Sequence, residues 1–175
     1  IDIIPQKAEL PYPCALEVYD SYTRDQLFAA LGFAKPASIR EGVKYLDHTN
    51  SDTVTRPTDV FLVTLNKSQK EFSDTTLYED YSIDRHLFHW QSQSTTTPES
   101  KTGQRYLSQR ETGSIVLLFV RSAKQDACRN AMAYTFLGTA KIVSHEGSQP
   151  ISIIYRLDHP IPAKYITKTD SSGVL

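Results

Sequence analysis

The sequence predicts an α+β domain, a curved mixed sheet or small β-barrel carrying two or three short helices. Three observations lead there. Runs rich in β-branched and aromatic residues recur at 59–65, 114–121, 134–143 and 151–157. Only two short segments show helical apolar spacing, and strands and helices do not alternate as βαβ units would. At 175 residues the chain is long enough to bury roughly 70 % of its unfolded surface in one core.

Taken in order, Pro5, Pro11 and Pro13 mark residues 1–20 as an extended lead-in. A globular domain is expected over 21–166. Its first helix opens at Thr23, the expected N-cap, with Asp25 favoured near the positive end of the helix dipole; Leu27, Phe28 and Leu31 form the buried stripe and Gly32 closes it. A strand is expected over 42–47, then a polar, mobile loop over 47–58, then the apolar strand 59–65. Residues 66–79 read as irregular. A strand over 82–91 carries Trp90, and a helix follows to about Gln109, with Thr97 as cap and Pro98 in the first helical position. Strands 114–121, 134–143 and 151–157 complete the domain, and 167–175 reads as a flexible tail. Ile1 and that polar tail are expected of a fragment of a longer chain.

The run His86-Leu87-Phe88-His89-Trp90-Gln91-Ser92-Gln93-Ser94-Thr95-Thr96-Thr97 is the richest in chemistry. Alternation puts His86, Phe88 and Trp90 on one face of a strand and Leu87, His89 and Gln91 on the other, so neither face is purely apolar. Taken alone, Phe88 and Trp90 read first as core. From Gln91 to Thr97 every residue is Gln, Ser or Thr, and each can donate and accept hydrogen bonds. Such a run suits base edges or phosphates without burying a charge.

Charge excludes a globally cationic coat protein: 19 Lys and Arg stand against 20 Asp and Glu, a net −1. Nucleic-acid binding therefore requires a local patch. Lys101, Arg105, Arg110, Arg121, Lys124 and Arg129 follow the polar run and are candidates for it. Cys14 and Cys128 lack metal-site spacing and fit a reduced, cytoplasmic protein. No apolar stretch reaches the ~18 residues of a membrane span. The five histidines show no short metal spacing, so no metal or cofactor is expected; His145 reads as a loop residue available to a base or phosphate. No Gly-x-Ser-x-Gly elbow marks a hydrolase. Asp59 with Glu99-Ser100-Lys101 spells the acid and Glu-x-Lys order of metal-dependent nucleases, which is the alternative enzymatic reading.

Several blocks carry a resemblance. Tyr22-Thr23-Arg24, Thr64-Leu65-Asn66-Lys67, Tyr78-Glu79-Asp80-Tyr81, residues 87–94, Gly103-Gln104-Arg105-Tyr106, Leu118-Phe119-Val120-Arg121, Tyr134-Thr135-Phe136-Leu137-Gly138 and Ser144-His145-Glu146-Gly147-Ser148 through Pro160-Ile161-Pro162 recur in order. Over about 22–164 they resemble a bacterial domain of unknown function found at the C-terminus of superfamily 2 DEAD/DEAH helicases, often behind a phospholipase-D-like nuclease domain. The resemblance implies DNA-processing or phage-defence context, with helicase and nuclease domains of the same parent chain as partners. By layout the chain is also similar to PUA-like barrels, which include the SRA and EVE readers of modified bases. That likeness implies a flipped-base pocket. Trp90, Phe88, Tyr45 or Tyr81 would wall it, while Gln91, Gln93 and Ser94 would read polar edges.

The expected function is that of a DNA-binding accessory domain that reads duplex DNA, including modified bases, through Tyr45, Tyr81, Phe88, Trp90, Gln91, Gln93, Ser94, Lys101, Arg105, Arg121 and His145. A protein-interaction module of the helicase is a further alternative, with an apolar patch through Phe33, Phe72 or Tyr165.

Overall fold

The computed structural model describes residues 4–36, 39, 42–65 and 80–166. The expectations for 66–79, for Phe72 and for the tail lie outside them. In chain order the elements are β1 (Gln6–Lys7), β2 (Glu17–Val18), β3 (Ser21–Tyr22), α1 (Arg24–Ala30), β4 (Val43–Leu46), β5 (Thr58–Thr64), β6 (Tyr81–Ser82), β7 (Leu87–Gln91), α2 (Lys101–Leu107), α3 (Gln109–Thr112), β8 (Ile115–Arg121), β9 (Tyr134–Glu146), β10 (Ser152–Leu157) and a 3-10 turn over Ala163–Tyr165. Among the described residues the protein is thus mostly sheet with three short α-helices, the α+β class expected.

The chain divides into two compact units that interleave in sequence: Ile1–Asn66 with Ser114–Ala140, and Lys67–Gly113 with Lys141–Leu175. β9 runs from the first into the second. In the first unit the strand order is β4-β5-β8-β9, with β3 also paired to β9. β5 runs parallel to β8, from Thr58 opposite Ile115 to Thr64 opposite Arg121, while β4 and β9 are antiparallel to their neighbours. A parallel pair needs a long connection, and the residues between β5 and β8 supply it. The β8–β9 ladder shifts register between Leu118 and Phe119, where Gly138 adopts φ 96°; only glycine enters that region cheaply, so it sits where the bulge falls.

α1 starts as its sequence dictates. The Thr23 side chain accepts from the Gln26 amide while the Gln26 side chain reaches back to the Thr23 amide, a capping box. Its Leu27 and Phe28 join Leu46, Val60, Phe119 and Phe136 in the core. The lead-in contributes to that same core: Tyr12, Leu16 and Val18 are buried in it, and β1 pairs with β2. The loop between β4 and β5 is pinned as well. Ser51 donates to the Leu31 carbonyl and accepts from the Thr53 and Val54 amides, and Val54 is fully buried.

In the second unit the order is β9-β10-β7-β6. β7 is antiparallel to both β10 and β6, with Trp90 opposite Ile153 and Phe88 opposite Tyr155. The five residues between β9 and β10 permit only an antiparallel pair. Neither unit's strand order closes into a barrel among the described residues. The expected strand 82–91 is instead a hairpin, because the Asp84 carboxylate accepts from the His86 and Leu87 amides and folds the chain back. The second helical segment also starts later than expected. Ser100, not Thr97, caps α2 by accepting from the Gly103 amide, and Lys101 rather than Pro98 is its first residue. Thr97 is used one step earlier, accepting from the Ser100 amide. The helix breaks at Ser108 and resumes as α3, which ends at Gly113 in the left-handed conformation.

Candidate nucleic-acid interface

In the second unit, α2 and α3 cover one face of the sheet, and the other, the open face, carries the exposed Tyr81, Lys141, Val143 and Arg156 among the described residues. On the covered face Phe88 and Trp90 are 1 % and 4 % exposed. Trp90 meets Tyr106 of α2 edge-on, with ring centroids 5.2 Å apart, and Tyr155 of β10 at 6.3 Å. Two of the four expected stacking walls, Phe88 and Trp90, are therefore core residues, and the space beside Trp90 is filled by neighbouring rings. The covering helices are also tied on by polar groups. Buried Gln109 accepts from the Ile142 amide at 2.8 Å, and Arg110 donates through Nε to the Ile142 carbonyl at 2.5 Å. These side chains stand in for a further strand alongside β9.

The polar run after β7 turns inward. Ser92 accepts from the Ile151 amide, Gln93 Oε1 accepts from the Tyr106 hydroxyl at 3.1 Å and the Thr96 hydroxyl at 3.2 Å, and the Thr96 carbonyl accepts from the Gln149 amide. Those bonds staple β7 to α2 and to the β9–β10 turn. Ser94 and Thr95 alone in the run are exposed, at its tip. Gln93 is thus a structural acceptor, and its side-chain oxygen is already engaged on two sides.

Strand alternation sends a different set to the open face. With Phe88, Trp90, Ile142, Ile153 and Tyr155 buried, the outward positions are Leu87, His89 and Gln91 on β7, Ser152, Ile154 and Arg156 on β10, Lys141, Val143 and His145 on β9, and Tyr81 on β6. Ladder pairing places Tyr81 and Ile154 on either side of His89, and Ser152 beside Gln91. Tyr81, 40 % exposed, stacks on His89 with centroids 4.7 Å apart and planes 21° from parallel. Gln91 donates through Nε2 to the Ser152 hydroxyl at 3.2 Å. Val143 is 48 % exposed.

Charge on this face is one-sided. Lys141 and Arg156 are the charged residues among the outward positions, and both are cations. Carboxylates described at the rim are engaged: Asp80 accepts from the Gln91 amide, Asp84 from the hairpin amides, and Asp158 from Lys141 at 3.4 Å. The two hairpin amides hold the Asp84 carboxyl below the usual carboxylate range.

The candidate residues thus separate. Tyr81, Gln91 and His145 share the open face; His145 lies on the extended end of β9 rather than in a loop. Lys101 and Arg105 belong to α2 on the covered side, where the Arg105 guanidinium lies 5.2 Å from the Tyr106 ring centre. Tyr45 and Arg121 belong to the first unit. Arg121 is committed there, donating to Thr64 at 2.9 Å and lying 4.5 Å over the Tyr134 ring. His89, Ser152, Arg156 and Lys141 were not singled out for this face by sequence reasoning, although the alternation around Trp90 already set His89 and Gln91 together.

Other candidates fare less well. Asp59 is 2 % exposed in the first unit, Glu99 and Lys101 lie in the second, and no group of three His, Cys, Asp or Glu residues suited to a metal occurs among the described residues. Phe33 is buried and Tyr165 partly so. An open groove of about 730 Å³ lies along the lead-in, lined by Lys7, Leu10, Tyr12, Cys14 and Thr53 among others. Its ionisable groups are quiet. Burial pushes the Tyr12 hydroxyl, 2.9 Å from that of Thr58, up to about 12, and pushes the Cys14 thiol up, away from thiolate reactivity. No helix among the described residues is long and apolar enough to cross a membrane.

No curated protein matches the chain at a significant level. A family model described as a domain of unknown function, DUF3427, matches residues 16–168. Since that span takes in both units apart from their outermost ends, the chain belongs to the DUF3427 family.

Proposed function

We propose that this chain is a DNA-binding accessory domain that contacts DNA through the open face of the second unit's sheet. One observation carries the reading: an aromatic stack, Tyr81 on His89, on a face that also carries the cations Lys141 and Arg156 and the amide and hydroxyl of Gln91 and Ser152. Rings of this kind hold bases by stacking, cations meet phosphates, and amides read base edges. The resemblance to helicase C-terminal domains supports a role in which this face directs a helicase and its nuclease to a target. Recognition of a modified base would fall to Gln91 and Ser152, not to a pocket between Phe88 and Trp90, and the PUA-like likeness is reduced to this reader role.

The test is fluorescence anisotropy of the full chain against labelled DNA carrying cytosine, 5-methylcytosine or 5-hydroxymethylcytosine. Binding is expected to weaken when Arg156 and Lys141 are both changed to Ala, with melting temperature retained. Binding that is indifferent to both changes would place the DNA contact elsewhere.

A further inference from the structure

We infer that the open face takes unpaired bases, so that single-stranded DNA, not duplex, is its ligand; this rests on the DNA-binding reading above and specifies its substrate class. The stack supplies the first reason. Tyr81 and His89 lie nearly parallel, and Tyr81, 40 % exposed, is the more exposed member, on β6, whose Ser82 also bridges Ile166. A parallel stack extends by adding a third planar ring over its more exposed member. A base inside a duplex has both faces covered by its neighbours and cannot serve, whereas an unpaired base can.

Polar groups point the same way. Gln91 and Ser152, joined at 3.2 Å, stand next to His89 along β7 and its partner β10, where an amide and a hydroxyl can meet the Watson–Crick edge of a stacked base. That edge is free only when the base is unpaired. Charge supplies the third reason. The outward positions carry two cations and no carboxylate, which complements a phosphate chain in sign, yet Lys141 already bonds Asp158. Two phosphate contacts are far fewer than a duplex clamp uses. At about 0.7 per phosphate neutralised on a single strand, the slope of log affinity against log salt is no steeper than about −1.4. Binding is therefore led by stacking.

The experiment titrates the full chain with a labelled strand of about 12 nucleotides, alone and annealed to its complement, at several salt concentrations. The inference predicts at least tenfold tighter binding to the single strand, with the shallow slope above. Tyr81→Ala should lower single-strand affinity tenfold or more, and Tyr81→Phe, which keeps the ring, should remain within about twofold of the wild type. Circular dichroism melts of both variants separate a lost ring from a lost fold. Equal affinity for strand and duplex, or a slope of about −4 or steeper, overturns the inference while leaving DNA binding standing. Binding of neither form overturns the DNA-binding reading itself.

Discussion

β7 presents two aromatic faces that do opposite things. On one side Phe88 and Trp90 lie in a packed layer with Tyr106 and Tyr155; on the other His89 stacks with Tyr81 within reach of water. Five residues of one strand thus supply both core and candidate surface. The difference teaches that aromatic content does not identify a binding platform. What covers each face does, and here α2 and α3 cover only one.

The largest effect expected from breaking this comparison is at Trp90. Trp90→Ala removes a ring packed on two others and should cost about 3–5 kcal/mol in urea unfolding. Any loss of DNA binding should then follow the loss of fold. Next comes Gln109→Ala, which strands the buried Ile142 amide; about 1–3 kcal/mol is expected in the same assay. On the open face Tyr81→Ala should cost less than about 1 kcal/mol, because that ring is partly exposed, while reducing DNA affinity strongly.

The smallest effect concerns pH. The Asp84 carboxyl is held below its ordinary value of 3.8 by the His86 and Leu87 amides. A depressed carboxylate contributes stability that is present above that value and lost as pH falls below it through the folded-state pKa. The urea midpoint of the wild type should accordingly drop in that acid range. Asp84→Asn should lack that part of the drop and begin from a lower midpoint at neutral pH.

Much of the fold was legible in local sequence. The β-branched runs placed β5, β8 and β10 to within a residue or two, and Thr23 with Asp25 marked the start of α1. The helix after Trp90 was blurred because Thr97 and Ser100 are both competent caps, and only the fold shows that Thr97 serves the preceding turn. The hairpin at Asp84 was hidden because one carboxylate accepting from two amides replaces the usual glycine turn signal. The burial of Tyr12, Leu16 and Val18 in the lead-in was not legible, because it depends on partners distant in sequence.

The candidate face was half legible. Alternation correctly grouped His89 with Gln91, but attention went to the larger ring, Trp90, which long-range packing had claimed. The polar run divides for a related reason. Gln91 stays on the open face, while Ser92, Gln93 and Thr96 spend their hydrogen bonds on Ile151, Tyr106 and Gln149. Arg156 and Lys141 joined the face only through strand order, which local pattern does not specify.

The most direct measurement is amide chemical-shift mapping of the full chain as a single-stranded oligonucleotide is added. The account predicts shifts concentrated at Tyr81, at 87–91, at 141–146 and at 152–156, with the core of the first unit unmoved. Shifts confined to the first unit, or none at concentrations where anisotropy reports binding, would contradict it.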